Sequence, residues 1–225
     1  MPGHGRSDHR PPGAAYHFID YVYDVLNAAD ALGWERFALL GHSLGAGIAA
    51  FVAAVAPERI MRLALIEGFG PRAGDPLEAP TRLMKALAQA RALAAKRVPV
   101  YRDLQAAAAA RAQASGLNLA AAVTLAERGT QTVPGGVGWR SDPRLTLLSP
   151  LYLTESQVLA FLGAIRAPTL LIRAESGLLR EREGSMAERY RCVERLRIID
   201  LPGSHHLHLE DPAPTARVLS EFFRV

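Results

Sequence analysis

Apolar side chains recur at three- and four-residue intervals over residues 16–32, at Phe18, Val22, Val25, Leu26, Ala29 and Leu32, and Gly33 stands where a left-handed residue would close a helix. This spacing predicts an amphipathic helix. Phe37-Ala38-Leu39-Leu40 is instead an unbroken apolar run between Arg36 and Gly41, the pattern of a parallel strand covered on both faces. A helix of small residues is predicted over 44–55, ended by Ala56-Pro57, and Leu63-Ala64-Leu65-Ile66 repeats the buried-strand pattern before Glu67-Gly68. Strand, tight turn, helix and strand within about 30 residues make a βαβ unit, so the sheet is at least partly parallel. The pattern resumes near the C-terminus. Thr169-Leu170-Leu171-Ile172 reads as a strand, 181–191 as a helix and 197–201 as a strand. The final helix is predicted over 214–223, with Asp211 as N-cap and Pro212 at the first helical position.

Residues 71–165 read differently, with no convincing strand and abundant Ala-rich helix. Leu83, Leu87, Ala90 and Ala94 mark one helical face, broken at Val98-Pro99. The run Ala106 to Ala110 is ordinary helix-forming sequence. Val133-Pro134-Gly135-Gly136-Val137-Gly138 is a loop by composition. Thr154-Glu155-Ser156-Gln157 before Val158, Leu159, Phe161 and Leu162 has the form of a capping box. The expected organisation is one α/β domain, with a core of residues 1–70 and 166–225. A helical lid of residues 71–165 is inserted over the C-terminal edge of the sheet. No fixed-period repeat is apparent.

With 225 residues, 49% of them hydrophobic, and a mean hydropathy of +0.06, the chain has too much apolar surface for an intrinsically disordered class. Its longest near-apolar run, residues 46–56, is shorter than the ~18 to 20 residues of a membrane-crossing helix. Met1-Pro2-Gly3-His4-Gly5-Arg6-Ser7-Asp8 contains no apolar segment of a secretory signal. The single cysteine, Cys192, forms no intrachain disulfide, so a cytoplasmic location is expected. The formal charge is +4 and the pI 9.6. The basic residues are scattered and almost all Arg, with Lys only at Lys85 and Lys96. This is a solvated surface, and no nucleic-acid or membrane partner is expected.

The chemistry concentrates in Gly41-His42-Ser43-Leu44-Gly45, which falls between a buried strand and a small-residue helix. That is the context a G-x-S-x-G turn requires: a serine in strained backbone with its hydroxyl exposed, and glycines letting strand and helix approach. The Leu44 N–H, at the start of the helix, is placed to stabilise an oxyanion. A serine hydroxyl needs a base to take its proton. The candidates lie after the last strand, in Gly203-Ser204-His205-His206-Leu207-His208-Leu209-Glu210. Three histidines in four positions also fit a metal, but no second Cys/His cluster accompanies them, and neither a metal nor a cofactor is expected.

These segments resemble the α/β-hydrolase superfamily, and within it the esterase-like serine hydrolase-like proteins. Further segments that carry the resemblance are Pro2-Gly3-His4-Gly5-Arg6-Ser7 and Trp139-Arg140-Ser141-Asp142-Pro143-Arg144-Leu145. The resemblance implies Ser43 as nucleophile and, from the family's His-Leu-Glu-like triplet matched by His208-Leu209-Glu210, His205 as base. His206 and His208 become lining or supporting residues. His42 either faces substrate or packs under the turn. Most relatives carry the acid just after the seventh strand, a position that here holds Gly177. Glu67, at the end of the sixth strand, is the favoured substitute; Glu175 is the alternative. The family's Pro-Gly-His-Gly-x-Ser loop follows its fourth strand, so the resemblance also implies that the first strands are absent. The strand-three loop, which usually gives the second oxyanion amide, would be absent with them. The strand at 37–40 would be an edge, and Met1 an internal methionine of a longer frame.

The expectation is therefore a serine hydrolase cleaving an acyl bond, foremost a carboxylic ester, of a small molecule held in an apolar acyl or alcohol pocket of the lid. The alternative is an impaired hydrolase fragment or pseudoenzyme that binds a ligand or partner. Oligomeric state is not legible in the sequence.

Overall fold

The computed structural model describes residues 1–95 and 98–224, except the side chain of Ala94; the expectation placed on Ala94, and Lys96, lie outside the described residues. In chain order the elements are α1 (Phe18–Ala31), β1 (Phe37–His42), α2 (Leu44–Val55), β2 (Ile60–Ile66), α3 (Ala79–Ala94), α4 (Leu104–Ser115), α5 (Leu119–Gly129), β3 (Thr130–Val133), β4 (Gly136–Trp139), α6 (Glu155–Gly163), β5 (Thr169–Ser176), α7 (Leu178–Glu181), α8 (Glu183–Cys192), β6 (Leu196–Ser204), α9 (Leu207–Glu210) and α10 (Pro212–Phe223). They fall into two compact units. One comprises Phe18–Leu77 and Tyr152–Val225, the other Met1–His17 and Glu78–Leu151. These bounds differ from the 71–165 insertion expected above, since residues 1–17 group with the helical segment and α6 groups with the sheet.

The first unit is built on a four-stranded sheet in the order β1-β2-β5-β6, with every neighbouring pair parallel. All four strands coincide with the predicted apolar runs but extend beyond them. The apolar runs of β2 and β5 are buried, but that of β1 is not covered on both faces as its sequence predicts, because β1 is an edge strand with Ala38 and Leu40 exposed; outer residues such as Glu175 and Ser176 are exposed and carry no apolar signal. On one face, Ala64, Ile66, Leu170 and Ile172 form a core cluster with Leu207 and with Val218 and Phe222 of α10. On the other face α2 is buried from Ala46 to Ala54, its small side chains letting it lie close to β1 and β2. Phe51 of α2 stacks on Phe161 of α6 at 4.0 Å between ring centres and meets Phe18 edge-on at 5.2 Å. Full burial of such a ring contributes ~1.5–3 kcal/mol. The capping box of α6 forms as its sequence predicts, with Thr154 and Gln157 exchanging hydrogen bonds.

Two buried arginines hold polar joints in this unit. Arg189 of α8 binds both oxygens of Glu155 at 2.6 Å and donates to the carbonyls of Phe69 and Pro71. Arg173 of β5 makes a two-point bond to Asp200 and reaches Glu183. The periodicity that located α8 gives no sign of the short α7 before it.

The second unit packs α4 against α5 and also contains an antiparallel hairpin, β3 with β4. This corrects the expectation that residues 71–165 lack a strand and that 133–138 are all loop. Pro134 and Gly135 alone turn the hairpin, Gly135 at φ 87°. Its short, glycine-containing strands are supported from outside, because Tyr101 and Val137 exchange backbone hydrogen bonds of 2.8 and 2.7 Å. A Cβ on Gly136 would overlap the Tyr101 carbonyl, so the residue type that disguises the strand is the one its neighbour requires. Asp142 is the polar centre of the unit. It accepts from the Arg144 side chain and backbone and from the Tyr16 hydroxyl, while Arg144 also donates to the carbonyls of Arg10, Pro11 and Ala14. Burial raises the Asp142 pKa, but these bonds outweigh it and hold the carboxyl at about 2. A mainly apolar cavity of about 1000 Å³ lies within this unit, lined among others by Leu83, Leu87 and Ala90 of α3 with Val98, Trp139 and Leu147.

Candidate active site

Ser43 follows β1 directly and opens α2. Its backbone lies at φ 53°, ψ −114°, a left-handed conformation that costs a non-glycine residue ~1–3 kcal/mol and persists only where surroundings enforce it. They do so here from both sides. A Cβ on Gly41 would overlap the Gly45 carbonyl, and one on Gly68 would lie 2.5 Å from the Ser43 carbonyl oxygen. The Ser43 N–H is held by the Ile66 carbonyl at 2.9 Å. Leu44 is the first residue of α2, where backbone N–H groups have no partner within the helix and carry its positive dipole end.

Glu67 follows β2 as Ser43 follows β1, since the last residues of the two strands, His42 and Ile66, are register partners. It too is left-handed, at φ 49°, and its N–H is bound to the Ile172 carbonyl. Its carboxylate is buried and accepts from the Ala174 N–H at 2.8 Å and from the Leu178 N–H. Burial pushes its pKa up, but the bonds from His205, Ala174 and Leu178 outweigh that and keep it below the ordinary value.

His205 joins the two. Its Nδ1 lies 3.2 Å from Glu67 Oε2 and its Nε2 lies 2.9 Å from Ser43 Oγ. A carboxylate only accepts, so Nδ1 carries the proton. Nε2 of the neutral ring is then an acceptor, and the Ser43 hydroxyl donates to it. The structure thus brings Ser43, His205 and Glu67 into one hydrogen-bonded chain. Glu175, near the end of β5, is exposed.

Gly177 has a reason that its position in the sequence only hints at. Its backbone, φ −103° and ψ 173°, is open to any residue, so no turn demands glycine there. A Cβ would instead overlap the Glu67 carboxylate. The slot where the family pattern expects an acid is emptied to admit an acid from the neighbouring strand. The amides of Ala174 and Leu178 that hold Glu67 have no sequence signal.

Three further histidines, His42, His206 and His208, gather near His205. His42 lies with its ring centre 4.8 Å from that of His205, 5.4 Å from His206 and 4.2 Å from His208. The His42 Nε2–H donates to the His205 backbone carbonyl at 2.8 Å. Burial drives its pKa down to about 4; that bond opposes the shift, and the neighbouring histidines add to it. Burial likewise lowers His208. Among the described residues, no group of three His, Cys, Asp or Glu side chains is arranged to hold a metal ion.

A serine set on a strained strand-to-helix turn at the end of a parallel sheet, facing a histidine from the loop after the last strand, defines an α/β-hydrolase site. Residues 1–212 match the alpha/beta hydrolase fold family, and the chain belongs to it. A serine hydrolase-like protein of Danio rerio is 30% identical over 234 residues, which cover 100% of this chain and 72% of that protein. A hypothetical protein of Pseudomonas aeruginosa PAO1, known from its crystal structure, is 46% identical, with 99% of this chain and 80% of that one covered and a TM-score of 0.92. A thioesterase domain from the curacin biosynthetic pathway is 27% identical, with 98% and 79% covered and a TM-score of 0.81. Among the described residues, no helix is long and apolar enough to cross a membrane.

Proposed function

We propose that this chain is a serine hydrolase that cleaves an acyl bond, foremost a carboxylic ester, with Ser43 as nucleophile, His205 as base and Glu67 as the acid. The observation that carries the reading is the continuous path from Ser43 Oγ through His205 to Glu67, with bonds of 2.9 and 3.2 Å. Ser43 Oγ attacks the acyl carbon as its proton passes to His205 Nε2. Glu67, charged and buried, stabilises the resulting imidazolium through Nδ1–H and fixes the ring's tautomer. The Leu44 N–H donates to the oxyanion of the tetrahedral intermediate. A donor of this kind typically contributes ~10²- to 10³-fold in rate. Collapse of the intermediate breaks the ester C–O bond, and the proton on Nε2 goes to the leaving alkoxide. Water, deprotonated by the same Nε2, then attacks the acyl-serine; the acyl–Oγ bond breaks, Nε2 returns the proton to Ser43 Oγ, and the carboxylic acid leaves. The similarity to a thioesterase domain fits chemistry at an acyl carbon.

A fluorophosphonate probe tests this reading directly. Ser43 is expected to be labelled, and Ser43→Ala to remove the label. Glu67→Gln should lower p-nitrophenyl ester turnover by at least ~10²-fold, with Glu175→Gln near wild type. Folded wild-type protein that takes no label would support an impaired, ligand-binding member of the family instead.

A further inference from the structure

The base travels a long way to its partner. β6, which leads into His205, and β1, which leads into Ser43, are the opposite edges of the described sheet. At ~4.8 Å between neighbouring strands, these edges stand about 14 Å apart. The last sheet rung on this path pairs Ser204 with Ser176 of β5, so the turn at 205 and the imidazole itself must reach across from that rung to the serine. The local bonds beyond that rung tie the segment to itself: the Ser204 hydroxyl to Glu210 at 2.6 Å and the His206 N–H to Ser204 Oγ at 3.3 Å, with Leu209 and Glu210 bound back to the His206 carbonyl. They stiffen the turn without setting its place over the sheet. Leu207, buried in the core cluster of β2 and β5, seats the turn on the sheet, and the bond from His42 to the His205 carbonyl ties it to the strand that leads into Ser43. That bond runs from the final residue of β1 to the backbone of the base itself.

We propose that His42 is a positioning residue that anchors the base-bearing loop to the nucleophile turn through its Nε2–H, and does not line the substrate site. The same proposal gives the other histidines a role. His205, His206 and His208 surround the His42 ring, so a charge on His42 would be repelled by any charge on the base. A neutral donor at this point fixes the loop while leaving the catalytic proton on His205. The proposal rests on the serine hydrolase reading, because the effect of misplacing the loop is read at Ser43.

Two variants of like polarity and different reach make the test. His42→Gln puts an amide donor at the ε position, where the imidazole has one; His42→Asn puts it one bond short. A displacement of ~1 Å of a catalytic group can lower turnover ~10²-fold. For a p-nitrophenyl ester, His42→Asn should lower kcat by ~10- to 100-fold with KM changed less than about twofold, and His42→Gln should recover at least tenfold of that loss. Equal kcat in the two variants, or a loss expressed in KM alone, overturns the proposal. Imidazole nitrogen NMR of the wild-type protein reads the bond without turnover: His42 should be the neutral Nε2–H tautomer at pH 6, and a charged ring or a proton on Nδ1 overturns the anchor. If wild-type protein takes no fluorophosphonate label, the serine hydrolase reading fails while the NMR spectrum still decides the anchor.

Discussion

Replacing Gly177 with Ala adds one methyl group at a position whose backbone accepts it, so its effect comes from the Glu67 carboxylate alone. The added Cβ would overlap that carboxylate, which is buried and held by the Ala174 N–H and by His205. Inserting a carbon into such packing costs ~1–3 kcal/mol. For a chain of this length each kcal/mol lowers the Tm by roughly 2–4 °C. The catalytic effect should be larger. If Glu67 swings away, His205 loses the acceptor that keeps its proton on Nδ1, and losing tautomer support of this kind lowers kcat by up to ~10⁴-fold. Because the carboxylate is only partly displaced, a fall of ~10²- to 10³-fold is expected for the p-nitrophenyl ester and for the rate of fluorophosphonate labelling. A double-mutant cycle locates the cause. Glu67→Asp draws the carboxylate back by one methylene and makes room for the new methyl. The two substitutions together should therefore lose less than the product of their separate losses, by at least tenfold. Gly177→Ala protein with wild-type Tm and kcat within twofold would refute the overlap argument, and strictly multiplicative losses would refute the contact between 177 and 67.

Two further predictions concern the joints that hold each unit. Asp142 has a folded pKa of about 2 against an ordinary 3.8, so its contribution of about 2 kcal/mol is complete above pH ~4 and is lost as pH falls through ~2. Denaturant unfolding between pH 2 and 5 should show this loss in the wild type, and Asp142→Asn should remove that part of the slope. Arg189 is buried while its partner Glu155 is 43% exposed, and the guanidinium holds the Glu155 carboxyl below its ordinary pKa. Glu155→Gln should destabilise by ~1–3 kcal/mol, less than the ~3–5 of a fully buried broken pair because solvent screens Glu155. An unchanged urea midpoint would show that the backbone carbonyls alone satisfy Arg189.

The sheet and the nucleophile turn were legible because they are written in contiguous residues. Phe37 to Leu40 and Leu63 to Ile66 are apolar runs with no competing reading, and Gly41 to Gly45 needs only its flanks to be interpreted. The acid was harder. Glu67 and Glu175 both lie just beyond predicted strands, and the sequence does not say that Glu67 is buried on a left-handed backbone while Glu175 is exposed. Gly177 carried the missing information, but a glycine that makes room looks like a glycine that makes a turn. The β3–β4 hairpin was hidden because its support is the Tyr101 backbone, 36 residues before Val137, and support at that distance leaves no periodicity. His42 stood next to the serine in the motif; its bond to a main-chain carbonyl 163 positions away has no pattern to read.

The paired left-handed residues at the ends of β1 and β2 have a mechanical consequence. Ser43 and Glu67 each sit one step past partnered residues, and each is fastened by its N–H to the next strand in the sheet. Ser43 and Glu67 therefore move as one body, their separation fixed by the ladder rather than by loop conformation. The imidazole stands on the turn beyond the ladder, so gentle warming or low denaturant should lower turnover by loosening the loop at 205 while the sheet is still whole.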